Sequence, residues 1–149
     1  MAERLEKGVD YPGVTIVYFC HDGNGKFIMA KRSHNTRDEH GRWDIRAGAL
    51  EFGDTPEQTL RKEISEEYCT EVVSFEFLGF RDVQREHQGK KTHWLALDFK
   101  MRVDPSKVKN GEPHKFEAIG WFSLDDRPAD EEVHSQFPHF LELYTSKLR

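Results

Sequence analysis

Cysteine is scarce in this chain: Cys20 and Cys69 are the only two among 149 residues. That excludes a disulfide framework, and the lack of a Cys-x-x-Cys pair argues against a structural zinc. A reducing compartment is the simplest setting. Long apolar runs are missing too. The longest nearly apolar stretch, Val14 to Cys20, falls far short of the ~20 residues a membrane helix needs. Met1 to Asp10 carries three acidic side chains and no apolar stretch, so it does not read as a signal peptide. A soluble, cytoplasmic protein with no membrane partner is predicted. Basic charge is not in excess. The 27 acidic and 22 basic residues leave a net charge of -5, which weighs against a general nucleic-acid binder. There is no internal repeat, Walker-type loop, Gly-x-Ser-x-Gly or His-Glu-x-x-His, so the commoner motif-borne hydrolases and P-loop enzymes are excluded. The eight histidines form no ligand pair and read as surface residues.

A charged fraction of 33% and a mean hydropathy of -0.79 would suit a disordered chain. The 11 Phe among its 12% aromatic residues argue instead for a packed core. The length fits one domain over residues 1–149, and a chain of this size buries about 70% of its unfolded surface on folding.

Val14 to Cys20 is rich in β-branched and aromatic residues, and Asp22-Gly23-Asn24-Gly25 separates it from Phe27 to Ala30, which predicts a β-hairpin. Trp43-Asp44-Ile45 predicts a short strand after a polar loop. Thr55-Pro56-Glu57-Gln58 has the form of a capping box with Pro at the first helical position. Leu60, Ile64 and Tyr68 then recur at four-residue spacing, so a helix is expected from Pro56 to Tyr68. Val72 to Phe80 and His93 to Val103 predict strands of a long hairpin around Gly89, and Glu117 to Phe122 a further strand. Phe137, Phe140, Leu141, Tyr144 and Leu148 predict a C-terminal helix lying on the core. Strands, helix, strands, helix is a mixed α/β order.

The chemistry lies between Gly48 and Thr70, where six acidic residues face two basic ones, a net -4 out of the chain's -5. Glu63, Glu66 and Glu67 stand three and four apart, so a helix projects all three from one side, about a quarter turn from the Leu60 and Ile64 stripe. Like charges at this spacing cost a few tenths of a kcal/mol per pair, which a divalent cation would more than offset. Oxygen ligands suit Mg²⁺ or Mn²⁺, and backbone carbonyls of the Gly-containing loop before the helix could complete the shell. A solvated acidic face remains the alternative reading. Trp43, Phe52 and Trp121 are expected in the core, with base stacking as the alternative.

This segment resembles the signature of the Nudix hydrolases, Gly-x5-Glu-x7-Arg-Glu-aliphatic-x-Glu-Glu-x-Gly-aliphatic. Gly48, Glu63, Ile64, Glu66 and Glu67 match it, whereas Asp54, Lys62, Cys69 and Thr70 depart. Glu112-Pro113-His114-Lys115 through Asp125 is similar to the family's later strand. The resemblance implies a Nudix-type α/β/α sandwich with a mixed β-sheet, and Mg²⁺- or Mn²⁺-dependent hydrolysis of a nucleoside diphosphate linked to another group. A nucleoside triphosphate is the default substrate. It implies Glu63 and Glu67 as main metal ligands, Glu66 as a third ligand or general base, and Gly48 as a backbone ligand. Glu63 and Glu66 are the expected catalytic residues. Arg32 and Arg46 are candidates for contacting phosphate, and Glu112 or Glu117 for a further carboxylate at the substrate.

The departures carry expectations of their own. Lys62 replaces a planar fork with a point charge. Asp54 is one methylene short for a bridge to Lys62 without a local shift. Cys69 sits where a glycine would take the left-handed conformation, so a different helix end is expected. These departures also allow a second reading, a nucleotide-binding or regulatory module with little hydrolysis. A related isomerase of prenyl diphosphates is not supported, because no cysteine is placed in the segment leading into the helix. A homodimer through the edge of His93 to Val103 is a further expectation.

Overall fold

The computed structural model describes residues 4–149, which form seven strands and two α-helices. The strands are β1 (Gly13–His21), β2 (Phe27–Arg32), β3 (Trp43–Asp44), β4 (Ala47–Ala49), β5 (Val72–His87), β6 (Lys90–Val103) and β7 (Phe116–Phe122), and the helices α1 (Pro56–Tyr68) and α2 (Phe137–Leu148). One mixed sheet runs in the order β3-β2-β1-β6-β5, with β4 added to β1 and β7 to β2. No helix among the described residues is long and apolar enough to cross a membrane.

Alternation along β1 sets the layers. Ile16, Tyr18 and Cys20 join Leu60, Ile64 and Tyr68 of α1 in one core, while Val17 and Phe19 join Phe137, Phe140 and Tyr144 of α2 in the other. Burial on both faces is why β1 reads as a continuous apolar run. The result is the expected α/β/α sandwich.

Helix α1 matches its predicted bounds. Gln58 N–H donates to Thr55 Oγ1 at 3.2 Å and Thr55 N–H to Gln58 Oε1 at 2.8 Å, closing the capping box. The C-terminal end keeps the geometry of the glycine it lacks: Cys69 adopts φ 57°, ψ 23° and donates its N–H to Ser65 O. The expectation of a different helix end is therefore corrected. A left-handed residue with a Cβ costs roughly 1 kcal/mol or more, and here it stands between the buried Tyr68 and Thr70.

Two other expectations change. The first hairpin is paired only where His21 meets Phe27, because the facing edges then part: β1 takes up β4 at Thr15 to Val17 and β2 takes up β3 at Ala30 and Lys31. The other edge of β1 runs parallel to β6 from Gly13↔Trp94 to His21↔Arg102, and that of β2 pairs with β7. The second hairpin is longer than predicted, since β5 and β6 continue through polar residues to a turn at Gln88-Gly89. Strand β6 is consequently interior. The free edge belongs to β5, not to His93–Val103.

Candidate active site

The three helix glutamates sit at different depths. Glu67 is only 1% exposed, Glu63 is half-buried and Glu66 is exposed. Helical spacing placed them on one side but did not reveal that Glu67 points inward beneath β4. Arg46 Nε donates to Glu67 Oε2 at 2.9 Å, while Glu67 Oε1 has no hydrogen-bond partner among the described residues. Burial first, and then the Glu112 carboxylate, push Glu67 well above the usual carboxylate range. Glu63 is raised as well, by burial and then by Glu66 and Glu112. Gly48 is required here by close approach, because a Cβ on it would lie 2.7 Å from Glu63 Cδ.

The chain after β6 returns across the end of α1. Lys109 N–H donates to Tyr68 O at 3.1 Å and Gly111 N–H to Glu67 O at 2.9 Å. Those bonds satisfy carbonyls that a helix end leaves open, and a Cβ on Gly111 would collide with Glu66 O. This loop delivers Glu112, which acts on both Glu63 and Glu67 and is held by Lys115 at 2.9 Å. Glu117, the other downstream candidate, is exposed at the start of β7 and is not among the charges raising either glutamate. Of the two candidates, only Glu112 is brought close enough to act on the helix glutamates.

On the other side of β4 lies a cavity of about 250 Å³ lined by Gly48, Val17, Arg32, Arg37, Ala96 and His134, among others. Arg81 also lines it, gripping buried Asp98 through Nε and Nη2 at 2.7 and 2.8 Å, and Tyr144 donates to the same carboxylate at 2.8 Å. The two arginines that are candidates for contacting phosphate are both engaged with carboxylates. Arg32 bonds Asp38 at 3.1 Å and Asp44 at 3.5 Å, and Arg46 bonds Asp44 at 3.2 Å besides Glu67. Burial alone would raise Asp44, but His134, Arg46 and Arg32 hold it below the usual carboxylate range. Arg37, with a side chain 70% exposed, is the less committed cation on this rim.

A second acidic cluster borders the cavity. Asp38, Glu39 and His134 bring one possible ligand atom each within 4.8 Å of one another, closer than any three of the other acidic, histidine or cysteine side chains among the described residues. Glu39 accepts from Ser135 N at 2.7 Å and from Arg85 at 2.9 Å, and lies 2.8 Å from His134 Nε2. Burial alone would raise its pKa, but His134 and Ser135 bring it down to about 2. The reading of all histidines as surface residues is corrected: His134 is partly buried in this network.

A family model described as NUDIX domain matches residues 11–143, most of the chain. The chain belongs to the NUDIX family. It is 31% identical over 103 residues to an RNA pyrophosphohydrolase of Pseudoalteromonas translucida, covering 67% of this chain and 51% of that protein. It is 25% identical to a CTP pyrophosphohydrolase of Escherichia coli, covering 76% and 78%. The crystal structure of a MutT NUDIX hydrolase from Burkholderia pseudomallei superposes with a TM-score of 0.76 at 25% identity, covering 89% of this chain and 98% of that one. The chain spans 51% of the first relative, and 36% of an NAD-capped RNA hydrolase of Pseudomonas aeruginosa that it also matches.

Within the NUDIX signature the departures are accommodated. Lys62 Nζ reaches Asp54 at 2.7 Å and Glu51 at 3.1 Å, so the shorter Asp54 is bridged and one ammonium holds two carboxylates across the loop. Of the three aromatics, Trp43 and Trp121 pack beside the two cores, but Phe52 is fully exposed at the loop tip, correcting its expected place in the core.

Proposed function

We propose that the chain is a divalent-metal-dependent pyrophosphohydrolase that cleaves a nucleoside diphosphate linked to another group, with a free nucleoside triphosphate as the default substrate. The observation that carries this reading is Glu67: a carboxylate 1% exposed, with one oxygen unpartnered, beside Glu63 and Glu112. A buried carboxylate without full compensation is costly. A cation between these groups removes that cost.

The residues present fit such a cation. All donors are oxygen, the kind Mg²⁺ and Mn²⁺ prefer, and Mg²⁺ is commonly held by one or two carboxylates plus substrate phosphate, so three convergent side chains are not required. Glu63 and Glu67 would be the ligands, with Glu66 and the Gly48 backbone at the rim. When bound, the ion supplies positive charge for diphosphate oxygens and activates water. The protein's own groups do the rest. Arg46 fixes the orientation of Glu67, and Gly48 lets Glu63 lie against β4. Exposed Glu66, near enough to Glu63 to raise its pKa, is the group placed to take a proton. The cavity behind Gly48 is assigned to the nucleoside, with Val17 and Ala96 as apolar wall and Arg37 at its mouth for phosphate. None of the signature's departures removes a carboxylate, which favours hydrolysis over a binding module.

A panel of nucleoside triphosphates, dinucleotides and a 5′-triphosphorylated oligoribonucleotide, assayed with and without Mg²⁺, tests this reading. Mg²⁺-dependent release of phosphate or pyrophosphate from a free nucleotide is expected, with loss in Glu67→Gln. Equal turnover by that variant overturns the assignment.

A further inference from the structure

Strand β5 ends the sheet, and its outer edge has no backbone partner among the described residues. On the face of the sheet that α1 packs against, beyond the reach of the helix, it carries three phenylalanines. Phe75 and Phe77 lie against Phe99 with ring centroids 6.1 and 5.4 Å away. Strict alternation would send Phe80 to the opposite face. A bulge prevents that: the register jumps from Phe77↔Phe99 to Gly79↔Asp98, leaving Leu78 as an extra residue buried in the α2 core. Phe80 then falls opposite Leu97, on the same face as Phe77 opposite Phe99. The bulge builds the patch.

Phe77 and Phe80 are 55% and 68% exposed, with Phe75 and Leu95 partly exposed beside them on the same face. Allowing ~200 Å² for a fully exposed Phe and somewhat less for Leu, these four offer on the order of 400 Å² of apolar surface. The smaller specific interfaces take about 600 Å² from each partner, of which about 340–390 Å² is apolar. The patch therefore has the area that one side of a stable dimer needs. Its rim carries both signs: Arg61, stacked 5.9 Å over Phe75 and bonded to Glu57, at one end, and Asp82 with His93 at the other. A rim of one sign would repel its own copy. This one, turned about a two-fold axis near Phe77, sets the Arg61 end of each copy against the Asp82 end of its mate.

We propose that β5 is the interface of a symmetric homodimer, two copies packing this face against each other along the open edge and burying Phe75, Phe77 and Phe80 of each. A two-fold contact is self-complementary, so every substitution in it acts twice.

Sedimentation velocity on the full chain at about 50 μM, well above a micromolar dissociation constant, is expected to give twice the 17.5 kDa chain mass. The double substitution Phe77→Glu with Phe80→Glu is expected to give the single-chain mass, raising the dissociation constant at least about 100-fold. Its far-ultraviolet circular dichroism should be unchanged. Phe52→Glu, at an exposed phenylalanine elsewhere, leaves the dimer intact. Amide exchange of Val73 to Phe80 in the unaltered chain should slow as protein concentration rises, a readout independent of any variant. A single-chain mass for the unaltered protein, leaving the face to some other partner, overturns the proposal. So does a double variant that stays dimeric, or exchange that does not depend on concentration.

Discussion

Two acidic clusters flank the segment from Trp43 to Gly48, and they differ in compensation. Glu63, Glu66, Glu67 and Glu112 share Arg46 and Lys115, and burial with mutual repulsion pushes Glu63 and Glu67 upward. Asp38 and Glu39 are ringed by Arg32, Arg85, Arg42 and His134, and Glu39 falls to about 2. Only the second brings three possible ligand atoms within 4.8 Å among the described residues. Proximity of ligand atoms is thus a poor sign of a metal site when cations of the protein already neutralise it. Residual negative charge is the better one. We read the first cluster as the place for a divalent ion and the second as a latch tying Asp38-Glu39 to the start of α2.

The largest effect separating them is on turnover. Glu67→Gln is expected to lower kcat by at least about 10²–10³-fold with little loss of fold, whereas Glu39→Gln should retain most of its rate; steady-state assays on both decide. Gly48→Ala comes next. Its Cβ would press on Glu63 Cδ at 2.7 Å, so Glu63 must swing aside and turnover should fall about 10–100-fold while the melting temperature changes modestly.

Stability reverses the order. Glu39→Gln breaks contacts to His134, Ser135 and Arg85 and should cost about 2–3 kcal/mol in denaturant unfolding. The pH dependence has opposite signs in the two clusters. Glu39 has a depressed folded pKa, so its stabilisation is present above the unfolded value of ~4.3 and is lost as pH falls toward about 2. Glu63 and Glu67 are raised, so the metal-free protein loses stability as pH rises through their folded values. Mg²⁺ should flatten that second slope in thermal melts across pH and leave the first untouched. The smallest effect is expected for Lys62→Arg, an exposed bridge to Asp54 and Glu51: less than about threefold in turnover, since exposed pairs contribute little.

The first cluster was legible because its parts are local. The capping box, the four-residue apolar spacing and the three glutamates lie within one helix, where period alone fixes relative direction. Period does not fix depth, and so the burial of Glu67 and its hold on Arg46 had to come from the fold. The second cluster joins residues from a loop, from β5 and from the segment before α2, up to 96 positions apart, and no local pattern links them. Strand β4 was missed for a related reason. Ala-Gly-Ala has weak strand preference and is extended because it pairs with Thr15, Ile16 and Val17 of β1. Polar residues such as Arg81 and Arg85 hid the length of β5, although they are the ones lining the cavity.

The contrast comes down to which cluster binds a divalent ion. Titration of Mn²⁺ followed by electron paramagnetic resonance, on the unaltered chain, Glu67→Gln and Glu39→Gln, tests that most directly. Binding is expected in the unaltered chain and in Glu39→Gln, and weakened at least tenfold, about 1.4 kcal/mol, in Glu67→Gln. Binding that survives in Glu67→Gln and disappears in Glu39→Gln would contradict the account.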